Sequence, residues 1–245
     1  VRKFFADALV IFEIQALKIR AWGWLYVFTL VIVPIGTLLF AKALIPPGMS
    51  DQVGTRLMAG SLVFGIGIMT VNNLAQLMAM ERFMNMMKLV ITSPVHPLSY
   101  ALGVVAFALV QGLATAAIIL CFAPPLGIHV HLSLWLIPVL VLTSLSMTGM
   151  GIIIATWSPT AESSNMLANT LGIMVTLLSP VYYPIERLPQ WLRWVARMSP
   201  YTHAGQAVNA ILSGRGGFGQ ESLLLLAITA VGLTVGIRGL RWRER

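Results

Sequence analysis

The stretch Tyr100–Phe122, YALGVVAFALVQGLATAAIILCF, runs for 23 positions without a charged residue. As an α-helix it reaches about 35 Å, enough to cross the ~30 Å hydrocarbon core of a bilayer. Backbone placed in lipid must satisfy its own hydrogen bonds, so a helix is the form such a segment takes. Five more stretches of comparable apolar length lie around it: Trp22–Leu44, Leu57–Met80, Leu132–Trp157, Asn165–Tyr183 and Ser222–Leu240. The spacing predicts an all-α polytopic membrane protein of six spanning helices, with residues 1–245 forming a single transmembrane domain.

Composition points the same way. Of 245 residues, 58% are apolar and 10% charged, and the mean hydropathy is +0.85. A soluble domain carries about 25% charged residues and needs a wettable exterior. Disorder is excluded because disordered chains are poor in apolar residues. The net charge of +8 is read as membrane orientation and attraction to anionic lipid, with no basic run fit for nucleic acid. Arg2, Lys3, Lys18, Arg20, Arg82, Lys88, Arg238, Arg241, Arg243 and Arg245 fall on the face shared by the termini, ten against six on the other. The excess predicts both termini in the cytoplasm and the plasma membrane as the location. Ala41-Lys42-Ala43 resembles a cleavage site, but the apolar run before it is too long for a signal peptide. Cys121, the single cysteine, cannot form an internal disulfide.

Two segments have helical periodicity without spanning length. In residues 1–21, Phe5, Ala8, Leu9, Phe12, Ala16 and Ile19 share one face, and Lys3, Asp7 and Lys18 are expected on the opposite one. This is the pattern of an amphipathic helix lying in the interface. In residues 185–215, Pro189 and Ser199-Pro200 suit helix starts, predicting short helices over 189–198 and 201–213. Leu188, Trp191, Leu192, Val195 and Met198 form an apolar stripe there. The segment reads either as an outer re-entrant pair or as an interfacial helix with a Trp belt.

Chemical motifs fail on context. Gly214-Arg215-Gly216-Gly217-Phe218-Gly219 matches the dinucleotide fingerprint, but no strand precedes it and a spanning helix follows. There is no phosphate-binding loop of the G-x-x-x-x-G-K-[ST] type and no G-x-S-x-G. His129 and His131 lack acidic or thiol neighbours for a metal. No catalytic residue, metal site or cofactor is expected in this chain.

The informative stretch is Met80-Glu81-Arg82-Phe83-Met84-Asn85-Met86-Met87-Lys88-Leu89-Val90-Ile91-Thr92-Ser93-Pro94. It opens with adjacent opposite charges and ends at Pro94, which forces Ser93 out of helical geometry. Met78, Met80, Met84, Met86 and Met87 crowd the ten positions 78–87 with adaptable thioethers suited to a partner's groove. Amides also stand out in the spans: Asn72, Asn73 and Gln76, then Gln111, then Asn165 and Asn169. Asn72 with Gln76, and Asn165 with Asn169, are four apart and predict shared faces turned inward. Such amides either line a solute path or join helices. Tyr182 and Tyr183 at the outer end of the fifth span read as an aromatic gate or as belt residues.

Two blocks carry a family resemblance: Glu81-Arg82-Phe83 through Leu89–Val95 with Gly103 beyond, and Pro184-Ile185-Glu186-Arg187-Leu188-Pro189-Gln190-Trp191-Leu192 through Ser199–Thr202. In order, and between these spans, the chain resembles the permease subunit of type-2 ABC exporters, the family of drug, polysaccharide and Nod-factor export permeases. The resemblance implies half a transporter. A second permease copy, identical or paralogous, would pair with it, and two cytosolic ABC ATPase subunits would supply ATP and magnesium. It implies a coupling helix over 81–95, with Glu81 and Arg82 pairing with each other or with the ATPase. Phe83, Met84 and Met87 would give the buried contact, and Lys88, Ser93 and Pro94 would complete the element. Members often have Gly-Thr after the Glu-Arg-x start; here Met84-Asn85-Met86 stands instead. The implied cargo is an amphipathic drug, lipid or glycan. The other readings the sequence leaves open are a six-span subunit for haem or cofactor assembly, a membrane-embedded enzyme, and a passive channel.

Overall fold

The computed structural model describes residues 2–43, 51–86, 95–126, 130–178, 180–183 and 185–239, with 90, 92, 93 and 128. Every regular element among them is helical. They are α1 (Arg2–Trp22), α2 (Trp24–Ala43), α3 (Asp51–Gly67), α4 (Asn73–Phe83), α5 (Pro97–Phe122), α6 (Leu136–Trp157), α7 (Ala161–Leu178), α8 (Gln190–Arg197), α9 (Pro200–Leu212) and α10 (Phe218–Gly239).

Among the described residues four helical stretches, against the six expected, are long and apolar enough to cross a membrane: Gln52–Phe83, Pro97–Phe122, Leu136–Trp157 and Phe218–Gly239. Trp24–Phe40 in α2 is a shorter apolar helix. In α7, Glu162, Ser163, Ser164, Asn165 and Asn169 dilute the apolar character that its second half keeps. Gln52–Phe83 passes through a π-helical turn, Ile68–Asn72, that joins α3 to α4. The expected fifth span begins at Ala161 rather than Asn165, because Thr160 and Ser163 exchange backbone and side-chain bonds that start the helix.

Local chemistry sets the ends. Gly23, at φ +61°, makes the elbow between α1 and α2. The His96 ring accepts from Leu98 N–H and Pro97 opens α5, while Ser199 Oγ accepts from Tyr201 N–H and Pro200 opens α9. The two short helices predicted from these signals therefore form, as Gln190–Arg197 and Pro200–Leu212. The glycine-rich Gly214–Gly219 is the turn into α10, with Gly214 and Gly217 at positive φ.

The core gathers Met58, Leu62 and Ile66 of α3, Ile119 of α5, Met147 of α6, Tyr201 and Val208 of α9, and Leu225 of α10. With little apolar-versus-apolar drive in lipid, helices must pack closely through small residues. Here α6 and α10 do so at Gly149, where a Cβ would lie 3.0 Å from the Gly232 carbonyl carbon. Gly236 sits against Ile152 in the same seam. Replacing Gly149 with Leu should cost about 1–3 kcal/mol through overpacking, read as a lower melting temperature of the purified protein in detergent.

Candidate functional site

Glu81, in the last turn of α4, is 6% exposed. Its Oε1 accepts from Gln15 Nε2 at 2.7 Å and takes the Lys18 ammonium as an ion pair. Its Oε2 accepts from the Tyr100 hydroxyl at 2.5 Å. Both oxygens are satisfied, as a buried carboxylate requires. Glu81 therefore pairs with α1 and α5, not with its neighbour Arg82. Lys18 is correspondingly turned to the packed side of α1, not to the side opposite Ala8, because Ala8, Ile11, Gln15 and Lys18 rise along one flank of that helix. α1 can lie this close to α5 because Gly103 is bare: a Cβ there would lie 2.6 Å from the Ala8 carbonyl oxygen.

Arg82 turns the other way. Its guanidinium donates to the carbonyl oxygens of Thr156, at 3.0 Å, and Ser158 at the C-terminal end of α6. A cation at exposed terminal carbonyls is the favourable arrangement for a helix C-terminus. Two adjacent charges so bind the end of α4 to three helices.

Beyond this anchor the chain projects apolar side chains. Phe83 is 71% exposed, and Met84 and Met86 are exposed beside it. The helix stops at Phe83, with Met84 and Asn85 in a turn and Asn85 at φ +58°, a conformation that asparagine tolerates. The expected continuous element over 81–95 is therefore interrupted at its fourth residue. Met87, Lys88 and Pro94 lie outside the described residues. Ser93 Oγ donates to the Val90 carbonyl at 2.6 Å.

The span amides separate into two groups. Asn72 Nδ2 donates to Asn169 Oδ1 at 2.7 Å, and Asn169 Nδ2 donates to Asn165 Oδ1 at 2.8 Å. Ser164 Oγ adds a bond to the Ala75 carbonyl at 3.0 Å, so this chain fastens α7 to the π turn and α4. Gln76 does not join it. The four-residue spacing crosses the end of the π turn, where the 3.6-residue periodicity is broken. Gln76 instead lines a cleft between α1, α2, α4 and α5 with Asn73, Gln111 and Tyr26, and Gln111 Nε2 donates to the Tyr26 hydroxyl. Tyr26 and Tyr100 are the partners that sequence spacing could not supply, since each meets its amide or carboxylate across helices. Tyr182 packs its ring on Gly60, where any Cβ would collide with it, and its neighbour Tyr183 is half-buried. His129 lies outside the described residues, and the backbone N–H of His131 donates to the Leu212 carbonyl at 3.0 Å.

The profile of the ABC-2 type transporter family matches residues 10–212, most of the chain and every element of this site. The chain belongs to the ABC-2 type transporter family. Comparison with curated proteins finds no match. As an ABC-2 protein it is a multi-pass membrane permease of the ABC transporter class, a transport membrane subunit. Permeases of this family normally work with ABC ATPases.

Lys18→Met should destabilise the protein by about 1–3 kcal/mol, because it leaves a buried carboxylate without its cation. The double variant Lys18→Met with Glu81→Gln should recover part of that loss. A double-mutant cycle on unfolding in detergent checks it, with a positive coupling energy expected.

Proposed function

We propose that this chain is the membrane half of an ATP-driven exporter that moves an amphipathic drug, lipid or glycan out of the cytoplasm. Six spans serve this reading: α2, the continuous α3–α4 rod, α5, α6, α7 and α10, with both termini cytoplasmic. Residues 1–245 then act as one transmembrane domain, α1 as its interfacial helix and α8–α9 as the outer re-entrant pair. Two copies, or one copy and a paralogue, pair in the plasma membrane of the cell. Two cytosolic ATPase subunits bind below and hold ATP and magnesium, and this chain holds no cofactor.

The observation that carries the reading is the exposed Phe83–Met84–Met86 knob on a base whose charges are already spent. Glu81 and Arg82 are occupied within the chain, so the outward surface is left to apolar groups, as a groove-filling contact needs. ATP-driven closure of the ATPase pair would displace the knob. α4 would pass that displacement to α1 and α5 through Glu81, and to α6 through Arg82. Packed elements move as bodies, so the inner and outer gates can alternate. The π turn at Ile68–Asn72 is where the α3–α4 rod is least regular and can flex. Met87, Lys88, Ser93 and Pro94 complete the docking element in this account. Asn72, Asn165 and Asn169 hold α7 to the moving rod. Asn73, Gln76 and Gln111 face the solute, and Tyr182 and Tyr183 stand at its exit.

The knob gives its cleanest test at Phe83, which is exposed and outside the cleft between α1, α2, α4 and α5 that Met84 and Met86 also line. Phe83→Asp and Met84→Asp should each weaken co-purification with the partner ATPase about tenfold or more, since hot-spot truncations cost ~2 kcal/mol. The melting temperature of Phe83→Asp in detergent should match the unmodified protein. Association at full strength would count against this docking assignment. Glu81→Arg is not a substitute test, because it places two cations together in the anchor and reports on folding.

A further inference from the structure

The cleft between α1, α2, α4 and α5 has a volume of about 230 Å³ and a lining that is mostly apolar. Leu77, Met80 and Phe107 form its walls. Its polar groups collect at one end, where Tyr26, Asn73, Gln76 and Gln111 meet, and all four are uncharged. Gln111 is bonded to Tyr26, whereas the Gln76 amide has no partner among the described residues. At the other end stand Lys18 and Glu81, with Glu81 about 12 Å beyond Asn73 and about 7.5 Å beyond Gln76 along α4 at the helical rise per residue. Their charges cancel in the ion pair, and the remaining carboxylate valences are filled by Gln15 and Tyr100.

We propose that this cleft binds a single-chain amphipath with an uncharged, hydrogen-bonding head, taken from the inner leaflet. The inference rests on the exporter reading for the leaflet of entry and for what happens to the occupant afterwards. An unpaired amide beside lipid is costly, and an occupant that both donates and accepts would satisfy Gln76. A charged head is disfavoured, because among the described residues no free countercharge lines the cleft and a buried ion without a partner is penalised severely. The volume lies below the ~300–1,000 Å³ of pockets that hold whole drug-sized molecules, so the cleft accepts one hydrocarbon chain and a small head. The two sources of that chemistry are a resident membrane lipid and the exported cargo itself.

The test uses the full chain with its partner ATPase in phosphatidylcholine vesicles, and a monoacylglycerol carrying a diazirine on its acyl chain. Photolabelling should concentrate on residues 73–80 and 107–111, mapped by peptide mass spectrometry. Unlabelled monoacylglycerol should compete, while equal amounts of a fatty acid or an alkyltrimethylammonium should not. Gln76→Leu should lower labelling about fivefold, the loss of one net hydrogen bond. Label spread evenly over the lipid-facing helices, equal competition by the charged amphipaths, or labelling unchanged in Gln76→Leu would overturn the proposal. Added ATP and magnesium separate the sources: labelling that falls during turnover identifies cargo, and labelling that persists identifies a bound lipid. Labelling without any ATPase association would spare the cleft and sink the exporter reading. ATPase-driven turnover with no labelling would do the reverse.

Discussion

A carboxylate buried near the end of a membrane helix must be compensated or it will not stay charged. Glu81 is compensated completely, by an ammonium and an amide from α1 and a phenol from α5. Removing an ion from water costs several kcal/mol, and only close, directional partners return it. That requirement fixes the relative placement of three helices. It explains why α1 lies on α5 instead of drifting in the interface, and why Gly103 has no side chain at the crossing with Ala8 and Ile11. It also explains why the residues that follow Glu81 leave the helix as an apolar knob, since the polar contacts available at that depth are already taken.

Arg82 extends the same logic to α6. The neighbouring charges of this pair point apart because each has a stronger partner elsewhere: a carboxylate in a cage, and a guanidinium over two terminal carbonyls. The α3–α4 rod is thereby held at its lower end on both flanks, while its middle carries the irregular π turn and an amide chain to α7. A rod fixed at the end where force would arrive and loosened halfway is suited to turn a push into a tilt.

Much of this was legible in the primary structure where the signal is local. An uncharged run such as Tyr100–Phe122 admits one conformation in lipid, and Ser199-Pro200 announces a helix start through its own cap chemistry. The amphipathic character of residues 2–20 was likewise visible, although Lys18 looked like a solvent-facing charge. What no local pattern contains is the identity of partners across the fold. Lys18 and Glu81 lie 63 positions apart, and Asn72 and Asn169 lie 97 apart. The break in periodicity that separates Asn72 from Gln76 also has no local marker; the π turn follows Gly67, on which Tyr201 of α9 packs.

The central claim is that α1 and the knob beyond α4 move as one body, bound through Glu81. Spin labels at Glu13 on α1 and Met86 on the knob, measured by double electron–electron resonance in the assembled transporter, test it most directly. The account predicts the same interspin distance with and without bound ATP, while the distance from Met86 to the exposed Trp191 on α8 changes. A Glu13–Met86 distance that shifts by several ångströms on ATP binding would contradict it.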